Sequence, residues 1–260
     1  MQNTKITFLG CGTSTGVPVI SCSCNVCLSD NPKNKRTRSS IFLENDQTKL
    51  LIDAGPDLRH QLLREKIFQT DAVLFTHGHI DHTAGFDDTR AFCWHRKDRL
   101  PVYGSPDTLE ILNRMFPWAF DPKTNIQGYV QAEGIPFTSE FRIGNISIIP
   151  FEVRHASIAT HGFYFKLPSG RSFAYASDIK SLPESNYDLL KDCDIHIFGG
   201  LRYLEHPSHM SVSESCALAK NLNSPRTYLT HLSHDIEYET HSATLPANRY
   251  FAYDGLSLEL

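Results

Sequence analysis

The densest chemistry in this chain lies in Thr76-His77-Gly78-His79-Ile80-Asp81-His82. Three imidazoles and a carboxylate fall within six residues, directly after the apolar strand-like run Ala72-Val73-Leu74-Phe75. On a strand end, positions two apart point the same way, so His77 and His79 converge on one side. Asp81 and His82 lie where the chain is already turning, and can face a second point a few ångströms away. Neutral imidazole nitrogen and carboxylate oxygen suit zinc, manganese or iron. The cluster therefore supplies parts of two neighbouring metal sites, as in a binuclear metallohydrolase. A merely histidine-rich polar loop has no reason to follow so demanding a pattern.

Two-metal sites hold their ions roughly 3.5–4 Å apart and need a bridging group with histidine or carboxylate ligands on each side. The extra ligands stand where strands end. His155 follows residues 148–153, Asp178 follows residues 173–176, and His231 closes residues 227–230. A lone histidine at a strand end is usually a surface or hydrogen-bonding residue. Together with the first cluster, these three make a set.

The elements that must position this set are short and apolar. Strand-like runs recur at residues 5–9, 39–43, 49–52, 72–75 and 101–103, then at 146–150, 162–167, 172–176, 194–198, 227–229 and 256–258. Helix-like stretches cover 57–66, 106–115, 184–190 and 212–222, the last opened by a capping box, Ser211 with Glu214 three residues on. Strands first come in hairpin-like bursts and then alternate with helices. That order predicts a two-sheet core covered by helices, with the site at strand ends. Residues 116–141, rich in proline and glycine, read as a loop or edge element beside the site. One domain over residues 1–260 is expected.

The 260 residues carry a net charge of −4, with 40% hydrophobic and 21% charged residues. These values describe an ordinary globular protein and argue against broad electrostatic binding of nucleic acid. No apolar run approaches the roughly 20 residues of a membrane span, and the start has no secretory pattern, so a cytoplasmic protein without a membrane association is expected. The basic cluster Lys33, Lys35, Arg36 and Arg38 reads as a solvated loop or, less simply, a phosphate contact. Seven cysteines are an odd number, and three crowd into Cys22-Ser23-Cys24-Asn25-Val26-Cys27. In a reducing compartment that favours metal or free thiols over disulfides.

The ligand order resembles the metallo-β-lactamase superfamily: an Asp after an early strand, then HxHxDH, then His, Asp and His. The resemblance implies an α+β fold, the αβ/βα sandwich of two mixed β-sheets covered by helices. It implies that His77, His79 and His155 bind one metal and that Asp81, His82 and His231 bind the other, with Asp178 bridging. Asp53, in Leu51-Ile52-Asp53-Ala54-Gly55, would orient the HxHxDH loop without binding metal. With His231 claimed in this way, His234 of His231-Leu232-Ser233-His234 remains as a fourth ligand for the three thiols, closing a tetrahedral zinc at a knuckle over residues 22–27.

The run Gly10-Cys11-Gly12-Thr13-Ser14-Thr15-Gly16-Val17-Pro18, the CxCxxC and the closing LTHxSH together resemble the PhnP-like phosphoribosyl 1,2-cyclic phosphodiesterases. This implies Cys22, Cys24, Cys27 and His234 as structural zinc ligands, two divalent ions (Mn2+ or Zn2+) at the active site, and a homodimer. It also implies a catalytic histidine just before a helix, where His209 fits and His206 is a rival. The expected reaction opens a small cyclic phosphodiester by attack of a metal-bridging hydroxide, with Asp81 orienting the nucleophile and His209 assisting at the phosphoryl group or leaving alkoxide. The alternative is an RNA- or DNA-cleaving nuclease similar to the tRNA 3′-processing endonuclease. Its protruding arm and basic surface find no counterpart in the short, cation-poor stretch 116–143. A thioester or lactone hydrolase and a non-catalytic scaffold are the remaining rivals.

Overall fold

The computed structural model describes residues 3–123 and 128–260. Strands β1 (Lys5–Gly10), β2 (Ser40–Glu44), β3 (Lys49–Ile52), β4 (Ala72–Leu74), β5 (Leu100–Gly104) and β6 (Ala132–Pro136) lie in one sheet. A second sheet holds β7 (Phe141–Ile143), β8 (Ile146–Val153), β9 (Thr160–Lys166), β10 (Ser172–Ala176), β11 (Ile195–Gly199), β12 (Thr227–Thr230) and β13 (Arg249–Phe251). The last strand, β14 (Ser257–Glu259), returns to the first sheet beside β1. Among the described residues, each sheet thus has seven strands and is mixed. Antiparallel pairing runs from β14 through β1 and β2 to β3, and parallel pairing from β3 to β6. The second sheet repeats the scheme, antiparallel from β7 to β10 and parallel from β10 to β13.

The strand sequences explain the layering. In β2, Ile41 and Leu43 enter the core between the sheets while Phe42 joins the cluster beneath the outer helices. In β3, Leu50 and Ile52 point inward and Leu51 outward. On the second sheet, Phe173 and Tyr175 point inward, Ala174 and Ala176 outward. Successive side chains alternate faces, so an uninterrupted apolar strand must be covered on both. Helix Leu58–Arg64 supplies Leu58 and Leu62 to one outer layer, and helix Val212–Asn221 supplies Leu218 to the other, with Leu222 just beyond it. The four layers are the expected αβ/βα sandwich. The capping box at Ser211 is formed: Ser211 Oγ accepts from Glu214 N at 3.2 Å, and Ser211 N donates to Glu214 Oε2 at 2.6 Å.

One local expectation is met by an edge element, and another needs correction. Within residues 116–141, a short helix (Pro117–Phe120) precedes β6, which forms the edge of the first sheet; residues 124–127 lie outside the described residues. Gly134 and Pro136 hide this strand from pattern reading, and an edge is where a strand tolerates them. The basic cluster is not a solvated loop. Arg36 is fully buried, Arg38 pairs with Asp57, and Lys33 lies over the Tyr238 ring beside Glu239.

Strand β11 buries a histidine on its outer face. His196 Nε2 meets Leu190 O at 2.8 Å, and Nδ1 meets Ser224 Oγ at 2.8 Å. A carbonyl can only accept, so Nε2 carries the proton and Nδ1 is left to accept. Burial pushes the pKa of this imidazole down to about 4. Between an unfolded value near 6.5 and this folded value, the unfolded chain binds the extra proton, so stability falls as pH falls. The loss at His196 amounts to about 3 kcal/mol once pH is below both values. Chemical denaturation at pH 7 and pH 4.5 is expected to show a smaller difference for His196→Gln than for wild type; equal differences would remove His196 from the acid response.

Candidate metal centre

The HxHxDH segment leaves β4 and turns through a short helix, Ile80–Thr83. Asp53, immediately after β3 and fully buried, holds this turn. Its Oδ1 accepts from Thr76 N at 2.9 Å, and its Oδ2 from Thr76 Oγ1 at 2.9 Å and His82 Nδ1 at 2.8 Å. Backbone bonds add to the clamp, with Asp53 N donating to Leu74 O and Ala54 N to His82 O. Gly55 permits the close approach, since a Cβ there would lie 2.1 Å from Asp81 O.

The second sheet brings the remaining ligands to the same edge. His155 follows β8, Asp178 follows β10, and His231 follows β12 in a left-handed conformation with φ of 57°. Ligand atoms of His77, His79 and His155 lie within 4.8 Å of one another, as do those of Asp81, His82 and His231, and those of His77, His82 and Asp178. Asp178 occupies the middle. Its Oδ2 is 3.1 Å from His82 Nε2, and its Oδ1 is 3.2 Å from His231 Nε2 and 3.7 Å from His155 Nε2. All seven residues named from the sequence are therefore in one place, five of them buried, with His79 and Asp81 partly exposed.

The donor set fits divalent cations. His82 Nε2 and both ring nitrogens of His231 are buried with no aligned hydrogen-bond partner among the described residues. Burial opposes a charged His82, yet Asp178, Asp53 and Asp81 raise its pKa well above the usual value. Burial likewise opposes an ionised Asp178, but His231 and His82 hold its pKa well below the carboxylate range. Burial, reinforced by His82, keeps His77 neutral, the form in which imidazole binds metal. Carboxylates that favour positive charge and neutral imidazoles with free lone pairs are what two divalent ions require.

His209 and His206 sit beside this set. His209 Nδ1 is 3.7 Å from Asp178 Oδ1, and its ring is stacked on His231 at 4.7 Å and tilted against His155 at 4.6 Å. His206 lies one ring further away, 5.2 Å from His209. Sequence reading passed over Thr76 and Ser208. The Thr76 hydroxyl joins Asp53 to His77 Nδ1 at 2.9 Å, and the Ser208 carbonyl accepts from His155 Nδ1 at 2.9 Å. Adjacency to a ligand motif was the only signal either one offered.

The thiol cluster forms a second candidate metal site. His234 Nδ1 lies 3.2, 3.5 and 3.6 Å from Cys22, Cys24 and Cys27 Sγ. A hydrogen bond from Cys27 N chiefly pulls the Cys24 thiol down to about 6, toward the metal-binding thiolate. Arg36 holds the turn that carries His234, donating to Ser233 O at 2.9 Å and to Ile236 O at 2.7 Å.

Replacing Asp53 by Ala leaves the Thr76 amide and His82 Nδ1 without their acceptor. A loss of metal affinity of roughly 10- to 100-fold is expected. Metal titration of folded protein, checked by circular dichroism, tests this; unchanged affinity would contradict an orienting role.

The sequence pattern of the beta-lactamase superfamily domain matches residues 48–232. A diphosphatase of the PhnP family superposes with a TM-score of 0.91 at 35% identity, over 100% of this chain and 98% of that one. Zinc-bound PqqB from Methylobacterium extorquens shares the fold, with a TM-score of 0.78 at 21% identity over 98% and 100% of the two chains. An octanoyltransferase from Porphyromonas gingivalis is 34% identical over 253 residues, 95% of this chain and 50% of that protein. The chain spans about half the length of the first curated relatives it matches. The ligand geometry and these likenesses together make the chain a member of the beta-lactamase superfamily and, within it, of the PhnP family.

Proposed function

We propose that this chain is a binuclear metal-dependent phosphodiesterase that opens a small cyclic phosphodiester of the 5-phosphoribosyl 1,2-cyclic phosphate type. The observation that carries this reading is the position of His209, packed between His155 and His231 and near Asp178, yet with a side chain still 14% exposed. An imidazole there is placed to reach a bound phosphoryl group. The likeness to a PhnP-family diphosphatase supports phosphoryl chemistry.

In this reading His77, His79 and His155 would hold one ion, Asp81, His82 and His231 would hold the other, and Asp178 would be shared by both. Manganese or zinc suits these donors. Such ions supply a nucleophile by lowering the pKa of bound water to about 7, and they offset charge on the phosphoryl oxygens. Asp53 fixes the His82 ring and the Thr76 amide. Asp81, partly exposed, orients the attacking water as well as binding metal. His209 donates to the phosphoryl group or passes a proton to the departing ribose oxygen, a contribution of roughly 10²–10⁴-fold. Cys22, Cys24, Cys27 and His234 would hold a structural zinc, which would secure the turn after His231.

Phosphorus NMR of the manganese-loaded protein, offered ribosyl 1,2-cyclic phosphate, a 2′,3′-cyclic nucleotide and a short RNA in parallel, tests the proposal. Ring opening of the ribosyl substrate with a single regiochemistry is expected, abolished in His77→Ala. In His209→Ala the rate should fall roughly 10²–10⁴-fold with metal content retained. Cleavage of the RNA alone would assign the chain to nucleases, and inertness toward all three with metals bound would sink the phosphodiesterase reading.

A further inference from the structure

The two oxygens of Asp178 have different surroundings. Oδ1 lies 3.7 Å from His155 Nε2, in the first ligand group, and 3.2 Å from His231 Nε2, in the second. Oδ2 lies 3.1 Å from His82 Nε2 and accepts a hydrogen bond from Ser177 Oγ at 2.8 Å. Ser177 and Asp178 are both buried, away from bulk solvent. A carboxylate that binds metal is ionised and can only accept, so the Ser177 hydroxyl must be the donor.

The backbone is held on either side of this pair. Ala176 is paired with Phe198 of β11, and the two strands stay so close that a Cβ on Gly199 would lie 2.0 Å from Ser177 O. Beyond Asp178, Met210 N donates to Ile179 O at 2.7 Å and Lys180 N to Arg154 O at 2.6 Å. The freedom left to Asp178 is rotation of its own carboxyl group. That terminal torsion is broad and roughly two-fold, so nothing intrinsic distinguishes Oδ1 from Oδ2. The Ser177 hydroxyl distinguishes them, because it claims one of the two.

We infer that Ser177 is a positioning residue for the shared carboxylate. Its bond to Oδ2 fixes the roll of Asp178 so that Oδ1 faces both ligand groups and becomes the oxygen that two ions would share. This rests on the binuclear part of the proposed function and adds the residue that keeps the two sites in register. Hydrogen bonds behind a metal ligand set its orientation, and losing one costs roughly 10- to 100-fold in metal affinity. Each ion would keep three other ligands, His77, His79 and His155 or Asp81, His82 and His231. The loss therefore falls on the ion that leans more on the shared oxygen, and on the coupling between the ions.

Manganese titration of the metal-free protein, followed by electron paramagnetic resonance, tests this without any substrate. Two ions that share an oxygen are magnetically coupled, whereas a lone ion gives the spectrum of isolated manganese. Wild type should bind two ions and show the coupled spectrum at saturation. Ser177→Ala removes an oxygen atom from a packed position and adds nothing, and circular dichroism checks its fold. In that variant the tighter ion should keep its affinity, the weaker should lose roughly 10- to 100-fold, and the coupling should change. Ser177→Cys fills the same position with a much weaker donor and a sulfur that suits manganese poorly, and it should shift in the same direction. Wild-type affinities and coupling in either folded variant would overturn the inference. Equal weakening of both ions would do so too, since it would make Ser177 a mere support of the strand end. Failure of wild type to take up a second ion would remove the binuclear reading and the inference with it.

Discussion

A single buried carboxylate sets the geometry on which the site depends. Asp53 sits after β3 in a left-handed conformation, φ 63°, and accepts from the next strand's Thr76 and from His82 beyond it. Ionised, it has no water to solvate it, so its partners must stay where they are; removing one member of such a buried set leaves a charge that costs several kcal/mol. The need to satisfy Asp53 therefore fixes the turn of the HxHxDH segment. That turn in turn decides that His77 and His82 face Asp178 across the seam between the sheets, with ring centroids 4.3 Å apart.

The sandwich supplies the other half of the constraint. Ligands arrive from β4 in one sheet and from β8, β10 and β12 in the other, and they meet only because the two sheets share an apolar core. Most of them follow strands of the parallel segments, whose carboxyl ends open onto a common crevice. On the second sheet, Lys180 reaches from the Asp178 loop to Glu214 in the capping box of helix Val212–Asn221. The strand end that carries Asp178 and the helix preceded by His209 are thereby coupled. A site built on rigid strand ends and braced in this way can hold like groups in close contact, as five imidazoles and two carboxylates are held here.

The thiol knuckle sits behind the same machinery. Leu232 N donates to Cys11 O, and Thr13 N to Leu232 O, so the glycine-rich start of the chain is stitched to the turn after His231. Arg36, buried beneath, spends its donors on Asn34, Ser233 and Ile236. A metal at the knuckle would lock a turn already held by these bonds, and the cluster therefore lies within reach of the site's stability while standing apart from its chemistry.

The ligand residues were legible in the sequence because their signal is local: each follows an apolar run, and HxHxDH keeps its spacing whatever surrounds it. The two-sheet architecture was legible for the same reason, since β2, β3, β4 and β10 are short, apolar and β-rich. What stayed hidden depends on distant partners. Edge strand β6 has no local pattern, because Gly134 and Pro136 are tolerated only at an unpaired margin. The burial of Arg36 follows from carbonyls some 200 residues away along the chain, as its contacts with Ser233 and Ile236 show. The approach of His206 to His209 is equally a product of how one loop is pinned between β11 and its helix. By itself, the sequence determined which atoms can bind metal and which strands can bury themselves. The tertiary structure alone decided which of those atoms meet, because convergence across two sheets is a property of packing and no local spacing encodes it.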